Sequence, residues 1–317
     1  PTVWFMSSQL ITFALFAYKQ EQFIREAVES ALAQTYSPLE IILSDDCSPD
    51  QTFAIMQEIA ATYQGPHVVV LNRNPKNLGL AAHVNQVMDM AQGKLIVMAA
   101  GDDISLPERT EHLTREWFDH GQPSGIASAA IIIDATNRRM SEFPGIGFYT
   151  SAEINQADKR TLLSYFATDT RFTLLGCAAA WSKDMWQTFG SLSEQVSNED
   201  NAFTLRSCFL NGLRVVDVPL VKYRHHGQNI WSRVSPHILT TPEEYLARED
   251  FATRKARASY QLYGAMLADL ERATSNGFVS KNQILPVQSA IADSRQKAFI
   301  DGNWWEFGFL VKLKFLG

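Results

Sequence analysis

The chain has 317 residues, is 46% hydrophobic and 20% charged, and carries a formal net charge of −6. It has enough apolar material for one large domain or two closely joined ones. The acidic balance argues against a general nucleic-acid binder, which presents a basic face. LITFALFAY (10–18) is a nearly continuous apolar run, as a strand buried on both faces should be. EQFIREAVESALAQ (21–34) follows, with Phe23, Ile24, Ala27, Val28, Ala31 and Leu32 on one helical face. LEIILS (39–44) is the next buried strand. After it Ser48 reads as an N-cap, Pro49 as the first helical residue and Gln51 as the partner that completes a capping box. HVVVLN (67–72) is a third strand, GLAAHVNQVMDMA (79–91) a third helix and KLIVMA (94–99) a fourth strand. SLPE repeats the capping pattern before a helix near 107–119, and GIASAAIIID (125–134) is a further strand. The region from about 140 to 235 is mixed and aromatic. From Thr241 a third capping box opens one long helix, ended by Asn276–Gly277, and a shorter helix lies within 281–300.

Strand and helix alternate through the first hundred residues, which predicts a doubly wound α/β sheet. Ligands bind beyond the carboxyl ends of the strands in such sheets. Two acidic pairs fall at such ends, Asp45–Asp46 after the second strand and Asp102–Asp103 after the fourth. Adjacent carboxylates repel unless a cation, water or a helix end relieves them. Asp45–Asp46 is equally readable as a turn cluster, since Asp is common there. Asp102–Asp103 follows a buried strand, which tilts it toward a site. Cys47, Cys177 and Cys208 are odd in number and lack metal-type spacing, so they read as reduced thiols. No apolar run has bilayer-spanning length, and the opening PTVWF lacks the layout of a signal peptide. The expectation is a cytoplasmic protein.

Three stretches resemble the family 2 glycosyltransferases: FAYKQEQFIREAVESALAQTYSPLEIILSDDCSPDQT, NPKNLGLAAHVNQ and MAAGDDISLPERTEHL. The likeness is close over roughly the first 120 residues and looser to about residue 230. It implies the GT-A fold, a Rossmann-like mixed sheet, with a C-terminal helical extension. The division expected is a GT-A domain over 1–235, with a nucleotide-binding half (1–105) and an acceptor half (106–235), then a helical region over 236–317. The resemblance implies a hexosyltransferase-type enzyme that takes a sugar from a nucleotide-diphosphate donor, a UDP-sugar by default. It also implies roles. Ala17 and Tyr18 lie beside the base, and Asp46 reads it. Asp102 faces the ribose or the metal shell. Asp103 holds Mn2+ or Mg2+ on the diphosphate, with His226 as a further ligand. In NED (198–200), Asp200 is the general base. YRHHGQN (223–229) is the loop that closes on the diphosphate, where Arg224 binds phosphate or pairs with a nearby acid. Ala100 departs from the pattern, which has an acid two places before Asp102. Lys19 stands where Asn is usual, and Val84 where many members carry Arg. The QxxRW motif of processive synthases is missing, which favours transfer of a single sugar.

The chemistry suits these residues. A divalent cation neutralises charge that develops on a diphosphate leaving group, and oxygen ligands suit it. A carboxylate deprotonates the acceptor hydroxyl, a saccharide or lipid-linked glycan, and attack opposite the leaving group inverts the anomeric centre. Glu199–Asp200 alone would be an ordinary charged helix start. His225 and His226 alone would be surface residues. Two other readings compete: a non-catalytic nucleotide-sugar-binding relative, which Ala100 keeps alive, and a sugar nucleotidyltransferase, which would want a Gly- and Arg-rich loop that FAYKQEQF does not provide. The C-terminal NWWEFGFLVKLKFLG is readable as contact with the inner face of a membrane, suiting a lipid-linked acceptor, or as cover for a core or interface, which is slightly preferred.

Overall fold

The computed structural model describes residues 9–147, 149–196, 198–226 and 242–302, and for 242–251 the backbone only. The C-terminal aromatic segment (303–317) and Gly227–Asn229 of the predicted closing loop lie outside the described residues. The first four predicted strands are β1 (Ile11–Ala17), β2 (Leu39–Asp45), β3 (Val68–Arg73) and β4 (Leu95–Ala100). Between them run α1 (Ile24–Leu32), α2 (Thr52–Thr62) and α3 (Leu80–Met90). All four strands pair in parallel, with β1 between β2 and β4 and β3 on the outside. The chain continues through β5 (Ile104–Ser105), α4 (Arg109–Asp119), β6 (Gly125–Asp134), β7 (Arg139–Phe143), α5 (Ser151–Gln156) and α6 (Lys159–Thr168). Then come β8 (Ala179–Ser182), α7 (Lys183–Phe189), α8 (Glu199–Phe209) and β9 (Leu213–His225). Strand β8 runs antiparallel between β4 and β6, so the sheet is mixed, in the order β3-β2-β1-β4-β8-β6-β9-β5 with β7 on β6.

Each face of the sheet carries a core. Ile11, Phe13 and Leu15 of β1 pack with α1 and with Leu113 and Trp117 of α4. Ala14, Ile42, Ile96 and Met98 face the other way, onto α3 and the helices of the second half. This alternation is the two-residue period of a strand, and each fully buried Leu, Ile or Phe contributes about 1.5–3 kcal/mol. The C-terminal helices are α9 (Pro242–Ser275), followed by Gly277 at φ 73°, and α10 (Lys281–Gly302). Leu262, Met266 and Leu270 of α9 and Ile284, Val287 and Ile291 of α10 join the second core beside Phe166, Phe189 and Phe209. A buried ion pair, Arg206 Nε to Asp269 Oδ2 at 2.7 Å, fastens α8 to α9.

Two predicted caps are corrected. Helix α2 begins at Thr52 and α4 at Arg109, and neither has a side-chain cap. The Ser48 hydroxyl accepts the Lys19 N–H at 2.9 Å, and the Ser105 hydroxyl, in β5, accepts Arg109 Nη1 at 2.9 Å. The Ser48 hydroxyl is taken by a distant backbone N–H, and the Ser105 hydroxyl by the side chain of Arg109, the first residue of α4.

Candidate active site

Parallel register brings the acidic pairs to one edge. Ala17 lies opposite Asp45, Asp45 opposite Arg73, and Phe16 opposite Ala100. Gly101 keeps the loop after β4 tight against β1, because a Cβ there would stand 3.0 Å from Ala17 Cβ. Tyr18 is 40% exposed at the mouth of β1. Lys19 follows with φ 56°, a left-handed conformation that Asn adopts more readily than Lys.

Asp46 is 3% exposed and well held. Its Oδ1 accepts Asn74 Nδ2 at 2.7 Å and Leu78 N at 2.9 Å, and its Oδ2 accepts Gly79 N at 2.9 Å. A carboxylate offers about four acceptor positions, so one on Oδ2 is left. Asp46 thus also anchors the start of α3. Asp45 is fully buried and bonds Ser48 N and Arg73, and its Oδ1 has no partner.

Asp102 and Asp103 differ in setting. Asp103 is 4% exposed; its Oδ1 accepts Arg224 N at 2.8 Å, while Oδ2 is buried without a partner. Burial and the Asp102 charge push its carboxyl up to about 8, against the Arg224 N–H, the Cys177 thiol and the Arg109 guanidinium. Asp102 Oδ2 meets His226 Nε2 at 3.0 Å. No group of three or more His, Cys, Asp or Glu side chains is poised around a cation among the described residues. Mg2+ and Mn2+ ask for less, one or two carboxylates with the rest from phosphate and water. The orphaned Asp103 oxygen, the Asp102 carboxylate and the adjoining imidazole fit such an ion.

Arg224 realises the second of its two sequence readings. Its guanidinium is buried, bonding Asp102 O at 2.8 Å, Asn137 Oδ1 at 2.5 Å and Glu26 Oε2 at 2.6 Å, with the Phe23 ring 4.7 Å away. As placed, it clamps the Asp102–Asp103 loop to α1 and does not present its fork to a diphosphate.

Asp200 stands in the first turn of α8. Its carboxyl is pushed up to about 6 by burial, opposed by the N–H groups of Asn201 and Gly176. Glu199 is pushed up to about 8 by burial and by Asp200. The Tyr223 hydroxyl is raised by burial and by the charges of Cys177, Asp103, Asp102 and Asp200. Sequence reasoning missed three neighbours. Arg109 is fully buried, bonds the carbonyl of Met98 at 2.7 Å, and is lowered to about 10 by burial against the pull of Cys177 and Asp103. Cys177, read only as a reduced thiol, lies against Asp103. Gly176 approaches Asp200 so closely that a Cβ would stand 3.3 Å from its Oδ2. The one available signal was the PERT run just after the aspartates, which carries Arg109.

Acidic pairs at the carboxyl edge of the parallel strands of a mixed sheet are the setting of a nucleotide-binding α/β enzyme. Residues 12–179, just over half of the chain, match the profile described as Glycosyl transferase family 2. The chain belongs to that family. It is 33% identical over 117 residues to the "Putative glycosyltransferase EpsE" of Bacillus subtilis (strain 168), covering 37% of this chain and 41% of that protein. It is 26% identical over 162 residues to the "Succinoglycan biosynthesis protein ExoO" of Rhizobium meliloti (strain 1021), covering 51% of this chain and 43% of that one. The matches thus span about two fifths of these relatives' length. Among solved structures, S. aureus TarS 1–349 in complex with UDP-GlcNAc superposes with a TM-score of 0.53 at 16% identity, over 90% of this chain and 80% of that one. The mannosyltransferase PcManGT from Pyrobaculum calidifontis, in complex with GDP-Man and Mn2+, gives 0.55 at 14% identity, over 96% and 78%. At such identities the likeness establishes the fold, GT-A with C-terminal helices.

Proposed function

We propose that the chain is an inverting, metal-dependent glycosyltransferase that moves one sugar from a nucleotide-diphosphate donor to a hydroxyl of a saccharide or lipid-linked glycan. The observation that carries this is the Asp102–Asp103 pair at the end of β4, on the edge where Asp46 also stands, with a buried Asp103 oxygen that has no hydrogen-bond partner. Asp103 and Asp102, with His226 beside them, would hold Mn2+ or Mg2+. Such an ion neutralises charge on the departing diphosphate. Ala17 and the exposed Tyr18 flank the base, and the open position on Asp46 Oδ2 accepts a base N–H. Asp200 takes the proton of the acceptor hydroxyl. As that O–H bond breaks, the acceptor oxygen bonds the anomeric carbon from the far face. The bond from that carbon to the diphosphate breaks, and its electron pair leaves with the nucleotide. Residues 1–105 serve the donor, 106–235 the acceptor, and 236–317 support the second half. UDP is the first choice of nucleotide; TarS was captured with UDP-GlcNAc, while PcManGT took GDP-Man with Mn2+. The name of ExoO supports a place in polysaccharide assembly. No helix among the described residues is long and apolar enough to cross a membrane.

The test is calorimetric titration with UDP, dTDP and GDP, each with Mn2+ and with EDTA, on the wild type and Asp103→Asn. Binding of one nucleotide that needs Mn2+ and is lost in the variant is expected. Equal binding in EDTA would overturn the metal assignment. Folded protein that binds none of them would overturn the donor site.

A further inference from the structure

A short segment that no motif marks connects the two candidate acids. Phe172 to Gly176 runs extended beside the first turns of α8. Its alternate residues each meet that helix. The Phe172 carbonyl accepts Asn201 Nδ2 at 3.3 Å, Leu174 N donates to Thr204 Oγ1 at 3.1 Å, and Gly176 lies against the Asp200 carboxylate, which its N–H holds down. Thr204 is fully buried and passes its own hydroxyl hydrogen to the Asp200 carbonyl at 2.7 Å. Thr173 also reaches the helix, with its Oγ1 3.3 Å from Thr204 Oγ1, while Leu175 faces the other way. Leu175 N donates to Gly145 O at 2.9 Å, and Leu175 packs beside Ala130, Ala178, Val221 and Tyr223. The 3-10 turn Gly176–Ala178 then sets the Cys177 thiol against Asp103 and leads directly into β8, which pairs with β4.

We infer that the strap 172–178 is a positioning device, which fixes the Asp200 carboxylate relative to Asp103 by hanging α8 on the sheet through Thr204 and Gly176. The side-chain chemistry follows from the spacing. Glycine at position 176 lets the carboxylate approach: at 3.3 Å from Asp200 Cβ and Oδ2, an added Cβ requires a displacement of a few tenths of an ångström. Nothing in its backbone angles requires glycine. Thr204 must offer both a donor and an acceptor, since it takes the Leu174 N–H and gives to the Asp200 carbonyl. Gly176 and Thr204 touch no substrate in this account and act through Asp200. The inference rests on the reading of Asp200 as general base only for its kinetic consequence.

Two variants of the full chain test it, Gly176→Ala and the near-isosteric Thr204→Val, which leaves position 176 untouched. The first readout needs no substrate: 13C titration of the Asp200 carboxyl, assigned by its loss in Asp200→Asn. Glu199, in the same turn, and Tyr223, from β9, face Asp200, and both are unchanged in the variants. Weakening the Gly176 N–H bond should raise the Asp200 midpoint in both variants, and a midpoint unmoved in either one that folds overturns the strap. The second readout is release of UDP from UDP-GlcNAc, or of GDP from GDP-mannose, with water as acceptor. A displaced base should lower kcat about ten- to a hundredfold with donor KM nearly unchanged. That loss should vanish in the Asp200→Asn background. A loss that persists there, or one confined to KM, refutes action through Asp200. Wild-type turnover in Asp200→Asn itself would instead sink the base assignment, leaving the titration to judge the strap. Should Gly176→Ala not fold, Thr204→Val carries both readouts.

Discussion

Arg224→Ala separates a clamp from a phosphate ligand. The guanidinium is 1% exposed and bonds the Asp102 carbonyl, Asn137 and Glu26, so truncation leaves those acceptors facing a hole. Removing one partner of a buried ion pair costs about 3–5 kcal/mol. Glu26 is 44% exposed and regains water on losing its partner, which favours the lower end, about 3 kcal/mol. For a chain of this size about 1 kcal/mol shifts Tm by roughly 2 °C, so a fall of about 6 °C is expected. Glu26→Gln alone should cost about 1 kcal/mol, and the double variant should cost less than the sum of the singles. Nucleotide affinity in Mn2+, measured by calorimetry well below Tm, should change little, because Asp103 is held by the backbone N–H of Arg224 and not by its side chain. Arg224→Lys restores the charge but not the planar fork that reaches three acceptors, so it should rescue only part of the stability. An unchanged Tm with nucleotide affinity down a hundredfold would refute the clamp and restore the phosphate-binding reading.

Asp200→Asn should lower kcat about 10²–10⁴-fold while nucleotide binding persists, and the acid limb of the wild-type rate, rising through a pH of about 6, should disappear. Turnover that keeps that limb in the variant would move the base elsewhere. Stability of the metal-free protein should fall as pH rises from about 4 through about 8. Burial holds Asp103 and Glu199 at about 8 and Asp200 at about 6, so the native chain retains protons that the unfolded chain has released. His83, lowered by burial, works in the opposite sense below its ordinary value and partly offsets the slope there. Glu199→Gln should flatten the dependence of Tm on pH, and an unchanged slope would show that Glu199 is not held protonated. Asp269→Asn leaves Arg206 buried without its counter-charge and should cost about 3–5 kcal/mol, read as a lowered denaturant midpoint.

The elements that sequence made legible are those whose signal is local. Strands β1, β2 and β4 lie in the middle of the sheet and read as continuous apolar runs, because both faces are covered. Their ends then located Asp46, Asp102 and Asp103 on one edge. Ser48 and Ser105 misled because a hydroxyl beside a helix start is a capping signal only when nothing else claims it. Here Lys19 N and Arg109 do, and neither contact is visible in a pattern. Arg224 is the sharper case. Its charge and its place near two histidines pointed to phosphate or to an acid, and only the fold shows the acid to be Glu26, far away in α1. Cys177 and Gly176 gave no signal at all. Their significance arises where the strap crosses α8, and no period or spacing encodes that crossing.

The adjacent pair Asp102–Asp103, of which Asp103 is buried, is costly without a counter-charge, and the surroundings show how that cost is met in the absence of a cation. Asp103 is raised far enough to hold a proton at neutral pH, and buried Arg109 and the Arg224 N–H temper the charge that remains. His226 meets Asp102 from the other side. None of these fills the open acceptor on Asp103 Oδ2. A buried oxygen left unpaired costs about 1–3 kcal/mol, a cost that a bound cation would offset. An oxygen kept partnerless, under a glycine that brings its loop against β1, is better explained as one half of a bond that something else completes. Arg109 fits the same logic. Too deep to touch a ligand, it supplies a fixed positive field beneath the pair, which lets a proton leave Asp103 when a divalent ion arrives. Arg109→Met should therefore weaken Mn2+-dependent nucleotide binding more than binding in EDTA. Equal losses in the two conditions would reduce Arg109 to a packing residue.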